Sequence, residues 1–337
     1  MQLTRRRFTT SMLGAAGAAA LTPAVIARLL DGGAFFEWSK VADGAWVAQG
    51  GGGNALLVTS ANEALLVDCK NFGLGPVLLD ECTDKVGALT TVVNTHHHGD
   101  HVGGNPTVLA ADIPLYAHGN AIPRLEGFSA QAKENIARAA PEQRQRAADR
   151  LREQGHTEEG GNRAAEGMLR AFEQVQSLSE RAFVPTHTLG DDETLRVGDL
   201  TVRLRHIGPG HTDNDVFIVI PELDLMHTGD LCFHNLHPFI DMGAGASSAG
   251  WIANCDAMLD VCGASTTVVP GHGAVGGRAA IDGQKQYFTI LRERMAQAHA
   301  DGLSREDAVA ITINAFADYG FEQIRERTYG SVYDEMG

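Results

Sequence analysis

The stretch TVVNTHHHGDHVGGN, residues 91–105, places His96, His97, His98, Asp100 and His101 within six consecutive positions. Clustered imidazoles make poor core filler, because each buried ring needs a hydrogen-bond partner. Lys and Glu make a charged surface at less cost. The usual reason for such a cluster is a metal ion. The run follows LTTVVNT, a β-branched segment that reads as a buried strand of about five residues. Alternate residues of an extended segment face the same side, so His96 and His98 can meet one ion. His97, between them, is expected to point the opposite way and to have no metal role. Gly99, Gly103 and Gly104 let the loop fold tightly. Two neighbouring ligand sets on one loop suggest two neighbouring metals.

Three further candidates stand at similar strand exits. RLRHIGPGHTDND presents His211, LMHTGDL presents Asp230, and TTVVPGHG presents His272. Each follows an apolar run and lies beside Gly or Pro. Open α/β sheets place functional groups beyond the carboxyl ends of their strands. The other segments agree with such an architecture. GAWVAQ, NALLVTS and EALLVD read as strands, GPVLLDECTDK as a helix and IPLYAHG as a strand. Strands resume at TLRVGDLTVRLRHIG, DVFIVIPE, LDLMHTGD and TTVVPGHG. Two helices then close the chain, the second capped by Ser304 with Asp307 three residues on. Strands alternating with helices imply α/β.

The ordered set HxHxDH at 96–101, then His211, Asp230 and His272, resembles the metallo-β-lactamase superfamily over roughly residues 40 to 290. The resemblance implies an αββα four-layer sandwich with the site at one edge between two sheets. It also implies roles for the residues. His96, His98 and His211 would hold a first Zn²⁺; Asp100, His101 and His272 would hold a second; Asp230 would bridge them. His and carboxylate donors suit Zn²⁺. Asp68, ending EALLVD, matches the family's early Asp and would either orient a ligand or simply end a strand. The implied reaction is hydrolysis by a metal-bound hydroxide that Asp100 helps to orient, with no Ser or Cys nucleophile.

Departures from the family bear on substrate. GPGHTDNDVFIVIPELDLMHTGDL is similar to class B β-lactamases that use a Cys ligand, but Asp230 stands in place of that Cys. Those enzymes often carry a Lys shortly afterwards for the drug's carboxylate. Residues 231–240, LCFHNLHPFI, hold neither Lys nor Arg. His98 stands where oxygen-reducing di-iron relatives have Glu. The first expectation is a β-lactam or related cyclic amide or ester; a lactone or thioester is the alternative. A different class remains open, a periplasmic metal-binding or redox accessory module without turnover. Of the remaining histidines, His234 and His237 are candidates to line the pocket. His118, His187 and His227 read as structural or surface groups, and His206 and His299 carry no signal.

Residues 120–182 change character. They are rich in Ala, Gln, Arg and Glu, and read as a helical insertion with a Gly-rich break at 160–161. A lid over the site and a solvated hairpin are both compatible with that composition. At the other end, TRRRFTTSMLGAAGAAALTPAVIA combines a charged start, a weakly apolar run and small residues, as signal peptides do. Arg5 and Arg6 with Phe8 resemble a twin-arginine export signal over residues 1–30, so the export machinery is an expected partner and the periplasm or exterior the expected location. The mature domain is then 35–337. The whole chain of 337 residues, 44% hydrophobic and 20% charged, has globular composition. A net charge of −15 argues against nucleic acid and leaves a small molecule as the expected substrate. The five cysteines, at 69, 82, 232, 255 and 262, lack metal-binding spacing and read as apolar filler.

Overall fold

The computed structural model describes residues 33–337, so the expected export signal at 1–30 lies outside the described residues. The first sheet opens as an antiparallel meander of β1 (Glu37–Ala42), β2 (Ala45–Gln49), β3 (Ala55–Ser60) and β4 (Glu63–Val67). It continues with parallel β5 (Thr91–Val93), β6 (Leu115–His118) and β7 (His187–Leu189). Helix α1 (Gly75–Val86) connects β4 to β5; the short α2 (Gly99–Val102) and α3 (Asn105–Ala110) connect β5 to β6. Between β6 and β7 come α4 (Ile122–Arg138), α5 (Pro141–Gln154) and α6 (Glu158–Leu178).

The second sheet runs antiparallel through β8 (Asp192–Val197), β9 (Leu200–Arg205), β10 (Phe217–Ile220) and β11 (Leu225–His227). Helix α7 (Ser248–Val261) then crosses to β12 (Thr267–Val269), parallel to β11. Helices α8 (Arg278–Ala300), α9 (Arg305–Val309) and α10 (Glu322–Asp334) end the chain.

Strand alternation builds the layers. In β3, Leu56 and Val58 face the second sheet, joining Val202, Leu204, Ile218 and Val269 in one core. Leu57, between them, faces outward with Leu66 and Val92 onto Val77 and Leu78 of α1 and Met168 of α6. On the far side, Phe217, Met226 and Val268 meet Trp251 and Met258 of α7 and Phe288 and Leu291 of α8. The inner strands β3, β4 and β10 are buried on both faces along most of their length, which is why they read as unbroken apolar runs. The result is the expected αββα sandwich.

The insertion differs from its sequence reading. It holds three helices, and the breaks fall at 139–140 and 155–157. Pro141 opens α5 because a proline at the first helical position sacrifices no hydrogen bond. Gly160 and Gly161 lie inside the first turn of α6. A Cβ at Gly161 would stand 2.2 Å from the Arg152 carbonyl oxygen, so this glycine lets α6 approach α5. The bulk of the insertion packs on the α1 layer, and α4 reaches the histidine loop. There the Phe128 ring lies 3.4 Å from where a Gly99 Cβ would stand, and Arg124 pairs with Asp213 at 2.5 Å.

Three helices follow β12 where two were expected, and α7 escaped the sequence reading. The buried stripe of α7 includes Ser248 and Asn254, while Val261 is exposed, so its hydrophobicity does not follow its burial. The cap on α9 is as expected, with the Asp307 amide donating to Ser304 Oγ.

Lys70 fastens the edge that carries the site. It is fully buried at φ +66°, and its Nζ donates to the carbonyls of Ala48 (2.6 Å) and Gly53 (2.7 Å), fixing the glycine-rich β2–β3 turn. Burial pushes its ammonium down to a pKa of about 7. The folded value lies below the unfolded one, so the unfolded chain binds more protons between the two. Stability from this group is therefore gained as pH rises above about 7. Urea unfolding of wild type and Lys70→Met at pH 6.5, 8 and 9.5 should show the wild-type advantage growing by on the order of a few kcal/mol. A pH-independent difference would contradict a charge-burial penalty at Lys70.

Candidate metal centre

Parallel pairing of β4 with β5 sets Val67 opposite Val93, so the two chains leave the sheet side by side. Asp68 follows at once, at φ +65°. Its carboxylate accepts from the Thr95 amide (2.8 Å), the Thr95 hydroxyl (2.8 Å) and His101 Nδ1 (2.7 Å). One fully buried side chain thus ties both ends of the histidine loop to the sheet. Of its two readings, the geometry is that of a group orienting a histidine.

The seven residues singled out from the sequence come together. His96, His98, His211 and Asp230 offer donor atoms within 4.8 Å of one another, and Asp100, His101 and His272 form an equally tight group. Asp230 stands between them. Its Oδ1 lies 3.1 Å from His101 Nε2, while its Oδ2 lies 3.3 Å from His211 Nε2 and 3.4 Å from His272 Nε2. Asp100 Oδ2 is 3.1 Å from His272 Nε2.

The outer nitrogens are already engaged. His211 Nδ1 donates to the Phe239 carbonyl (2.7 Å), His101 Nδ1 to Asp68, and His98 Nε2 to Asp241 Oδ2 (2.8 Å). His96 Nδ1 meets Thr95 Oγ1 at 3.1 Å, whose hydrogen is committed to Asp68. Each ring therefore turns its other nitrogen inward, and those of His98 and His211 lie 2.8 Å apart. His96 Nε2, His101 Nε2 and Asp230 Oδ1 are buried with no hydrogen-bond partner. Buried polar atoms are almost always satisfied, so this orphaned, converging set suits a metal. A fixed outer nitrogen is also how metal-binding histidines are oriented.

The electrostatics of the two donor groups differ: burial disfavours charge on His101 and His272, but the Asp230 and Asp100 carboxylates beside them outweigh it and raise the pKa of both, His272 to about 9. Burial, aided by the adjacent His101 and His98 rings, holds His96 well below its ordinary pKa; burial and His98 push His211 down to about 3. Both rings stay neutral, the form that binds metal. Burial opposes the charge on Asp230, but His101, His272 and His96 outweigh it and hold the carboxyl well below the usual range. Two glycines make room. A Cβ at Gly53 would stand 2.1 Å from the His101 ring, and one at Gly271 would stand 2.0 Å from Asp230 Oδ1.

His97 turns to Asn214, at 3.0 Å from its Nδ2, and burial lowers its pKa to about 4. Asn214 also donates to Asp213, the partner of Arg124. His227 is buried and structural, bonding the Asn54 carbonyl (3.1 Å) and the Gly229 amide (3.0 Å). His118 pairs with Asp191 and stacks on His206, and His187 stacks on Tyr116. His234 bonds the Ala274 carbonyl. His237 was a candidate pocket-lining group, but it is buried against Tyr287 and pairs with Glu322, because its backbone is drawn to Gly320. All five cysteines are buried and free.

Asp241 escaped the sequence reading. A lone Asp carries no motif, and its bond to His98 joins residues 143 positions apart. The His98 and His97 rings help hold its carboxyl at about 2, and the His98 hydrogen bond is the largest cause. Phe239 was missed as well. Its ring stands 5.8 Å from His98 and 6.1 Å from His211.

A family model described as the metallo-beta-lactamase superfamily matches residues 48–272. The chain is 21% identical over 235 residues to a metallo-beta-lactamase type 2 from Bacteroides fragilis, covering 69% of this chain and 74% of that protein. A segment of 59 residues is 46% identical to a hydroxyacylglutathione hydrolase from a Synechocystis species, covering 17% of this chain and 21% of that one. Among solved structures, the DIM-1 metallo-beta-lactamase superposes with a TM-score of 0.54 at 18% identity, covering 76% of this chain and 97% of that one. A metallo-beta-lactamase from Pontibacter korlensis gives 0.54 at 17% identity, covering 75% and 99%.

Removing the Asp241 carboxylate should free the His98 ring to rotate. Asp241→Ala is expected to weaken divalent-metal affinity by roughly 10- to 100-fold, read by competition with a chromogenic chelator. Asp241→Asn, which keeps an acceptor, should lose less. Unchanged affinity in Asp241→Ala would show that His98 is held without it.

Proposed function

The chain belongs to the metallo-β-lactamase superfamily, and from that premise we propose that it is a hydrolase working with two Zn²⁺ ions. His96, His98 and His211 would hold one ion, Asp100, His101 and His272 the other, and Asp230 both. The observation that carries this reading is Asp230 itself, a buried carboxylate shared by two donor groups with an otherwise unpartnered oxygen. Zinc bound there supplies a water of near-neutral pKa and a Lewis acid for the carbonyl oxygen under attack.

The chain's own residues do the rest. Asp100 is the most exposed carboxylate of the set, at 29%, and therefore the one that can face an incoming substrate. Burial opposes its charge, but His101 and His272 hold its carboxyl well below the usual range. It remains an acceptor near neutral pH, able to orient a nucleophilic water by hydrogen bonding. Asp68 and Asp241 hold His101 and His98 in the ring orientations the ions need. Trp251 stands 5.4 Å from the His211 ring and donates to the Leu231 carbonyl, walling the centre off from the α7 core.

For substrate we propose a β-lactam or a related cyclic amide or ester. The relatives named as metallo-beta-lactamases support this, over most of the chain. A thioester or lactone is the second reading, and the match to a hydroxyacylglutathione hydrolase favours the thioester. The test is a panel of a chromogenic cephalosporin, a lactone and a thioester against zinc-loaded protein. At least one should turn over and stop turning over on chelation. Asp230→Ala should lose at least about tenfold in rate, while His97→Ala keeps its metal and most of its rate. A zinc-loaded, folded protein inert to all three would contradict the hydrolase reading.

A further inference from the structure

We propose that His118, Asp191 and His206 form a further divalent-cation site, suited to Zn²⁺ and sharing no ligand with the centre around Asp230. Three strand ends supply it. His118 closes β6 in the first sheet, while Asp191 precedes β8 and His206 follows β9 in the second. Pairing of Asp192 with Arg205 sets Asp191 and His206 side by side, and the His206 amide donates to the Asp191 carbonyl at 2.8 Å. Each of the three side chains offers a donor atom, and these atoms lie within 4.8 Å of one another. Two imidazoles and a carboxylate are donors that Zn²⁺ accepts readily.

The geometry fits an ion. His118 Nε2 stands 3.1 Å from Asp191 Oδ1. Two donors each about 2.1 Å from one Zn²⁺ stand about 3.4 Å apart at the tetrahedral angle, so this pair needs to open by only a few tenths of an ångström. The His206 ring stacks on the His118 ring, with centroids 4.1 Å apart. His206 Nδ1 donates to the Asp215 carbonyl at 2.8 Å, which leaves a lone pair on its Nε2. A ring fixed through its outer nitrogen in this way is oriented as metal-binding histidines are. His118 is buried, and burial together with the neighbouring His206 ring outweighs Asp191 and holds its pKa below the ordinary value. It is neutral near pH 7, the form that binds metal.

Without an ion, the Asn120 amide donates to His118 Nδ1 at 3.4 Å, so Nε2 carries the hydrogen and donates it to Asp191. Zinc takes that place. The ring then carries its hydrogen on Nδ1, at the expense of the long bond from Asn120, and no net proton leaves His118. Three protein ligands, one of them an Asp whose side chain is 79% exposed, leave the fourth position to water. The affinity is therefore micromolar, weaker than that of a closed structural site. The ion would clasp the two sheets at the root of α4. Asn120 Nδ2 donates to the Asp213 carbonyl at 2.8 Å, and the Asp213 carboxylate pairs with Arg124 of α4.

The test is calorimetric titration of Zn²⁺ into full-length protein already holding the metal of the main centre, in chelator-free buffer. Wild type should take up one further equivalent with a micromolar Kd. His206→Gln should lose that equivalent, and Asp191→Asn should weaken it at least about tenfold, both keeping the metal of the main centre. Asp191→Asn changes a surface side chain and leaves His118 an acceptor, so it decides the matter even if His206→Gln fails to fold. His187→Gln, which alters another histidine on the neighbouring strand, should bind as wild type does. No further equivalent in wild type, wild-type binding by Asp191→Asn, or equal loss in His187→Gln would overturn the site. The extra ion should also raise the Tm of wild type by a few degrees, and a Tm that stays fixed while the ion binds would overturn the clasp. The difference of one equivalent between wild type and variants holds whatever number of ions the main centre takes, so failure of the dinuclear reading would leave this site standing.

Discussion

A carboxylate buried at Asp230, 3% accessible, is the constraint on which the arrangement depends. Taking such a group out of water costs several kcal/mol unless charge and hydrogen bonds compensate it. Here the compensation is a shell of imidazoles, from His96, His101, His211 and His272, each within 4 Å of its oxygens. Three of these rings are held from outside, His101 by Asp68, His96 by Thr95 and His211 by the Phe239 carbonyl, while Asp241 holds His98 beside them. Removing any outer partner loosens an inner ring. A divalent cation on each side of Asp230 would meet charge that the protein alone leaves partly uncompensated.

The sandwich exists to bring these pieces to one edge. His96–His101 follow β5, His211 follows β9, Asp230 follows β11 and His272 follows β12. Two of these strands belong to opposite sheets and share one core through Val93 and Val269. The glycines at 53 and 271 let the backbone close over His101 and Asp230, while buried Lys70 holds the β2–β3 turn in place. Rigid strands thereby set the donor positions, as a site with little tolerance for displacement requires.

The donor residues were legible in the sequence for a local reason. The histidine loop follows a strand, and His211, Asp230 and His272 each come after an apolar run and beside Gly or Pro, so strand end and chemistry are read together. What lay beyond reading depends on contacts between distant segments. Asp241 bonds a histidine 143 residues away. Helix α7 was hidden because Ser248 and Asn254 are buried in it, and the break before α6 was misplaced because Gly160 and Gly161 serve packing where glycines usually break a helix. Local propensity is overridden in each case by tertiary contact.

The central claim is that Asp230 joins two metal ions. Anomalous diffraction at the zinc edge, on crystals of protein whose metal content has been measured, tests it most directly. The account predicts two peaks per chain about 3.5–4 Å apart, one beside His96, His98 and His211, the other beside His101 and His272, with the Asp230 carboxylate between them. A single peak at full zinc loading, with Asp230 touching no metal or only one, would contradict it.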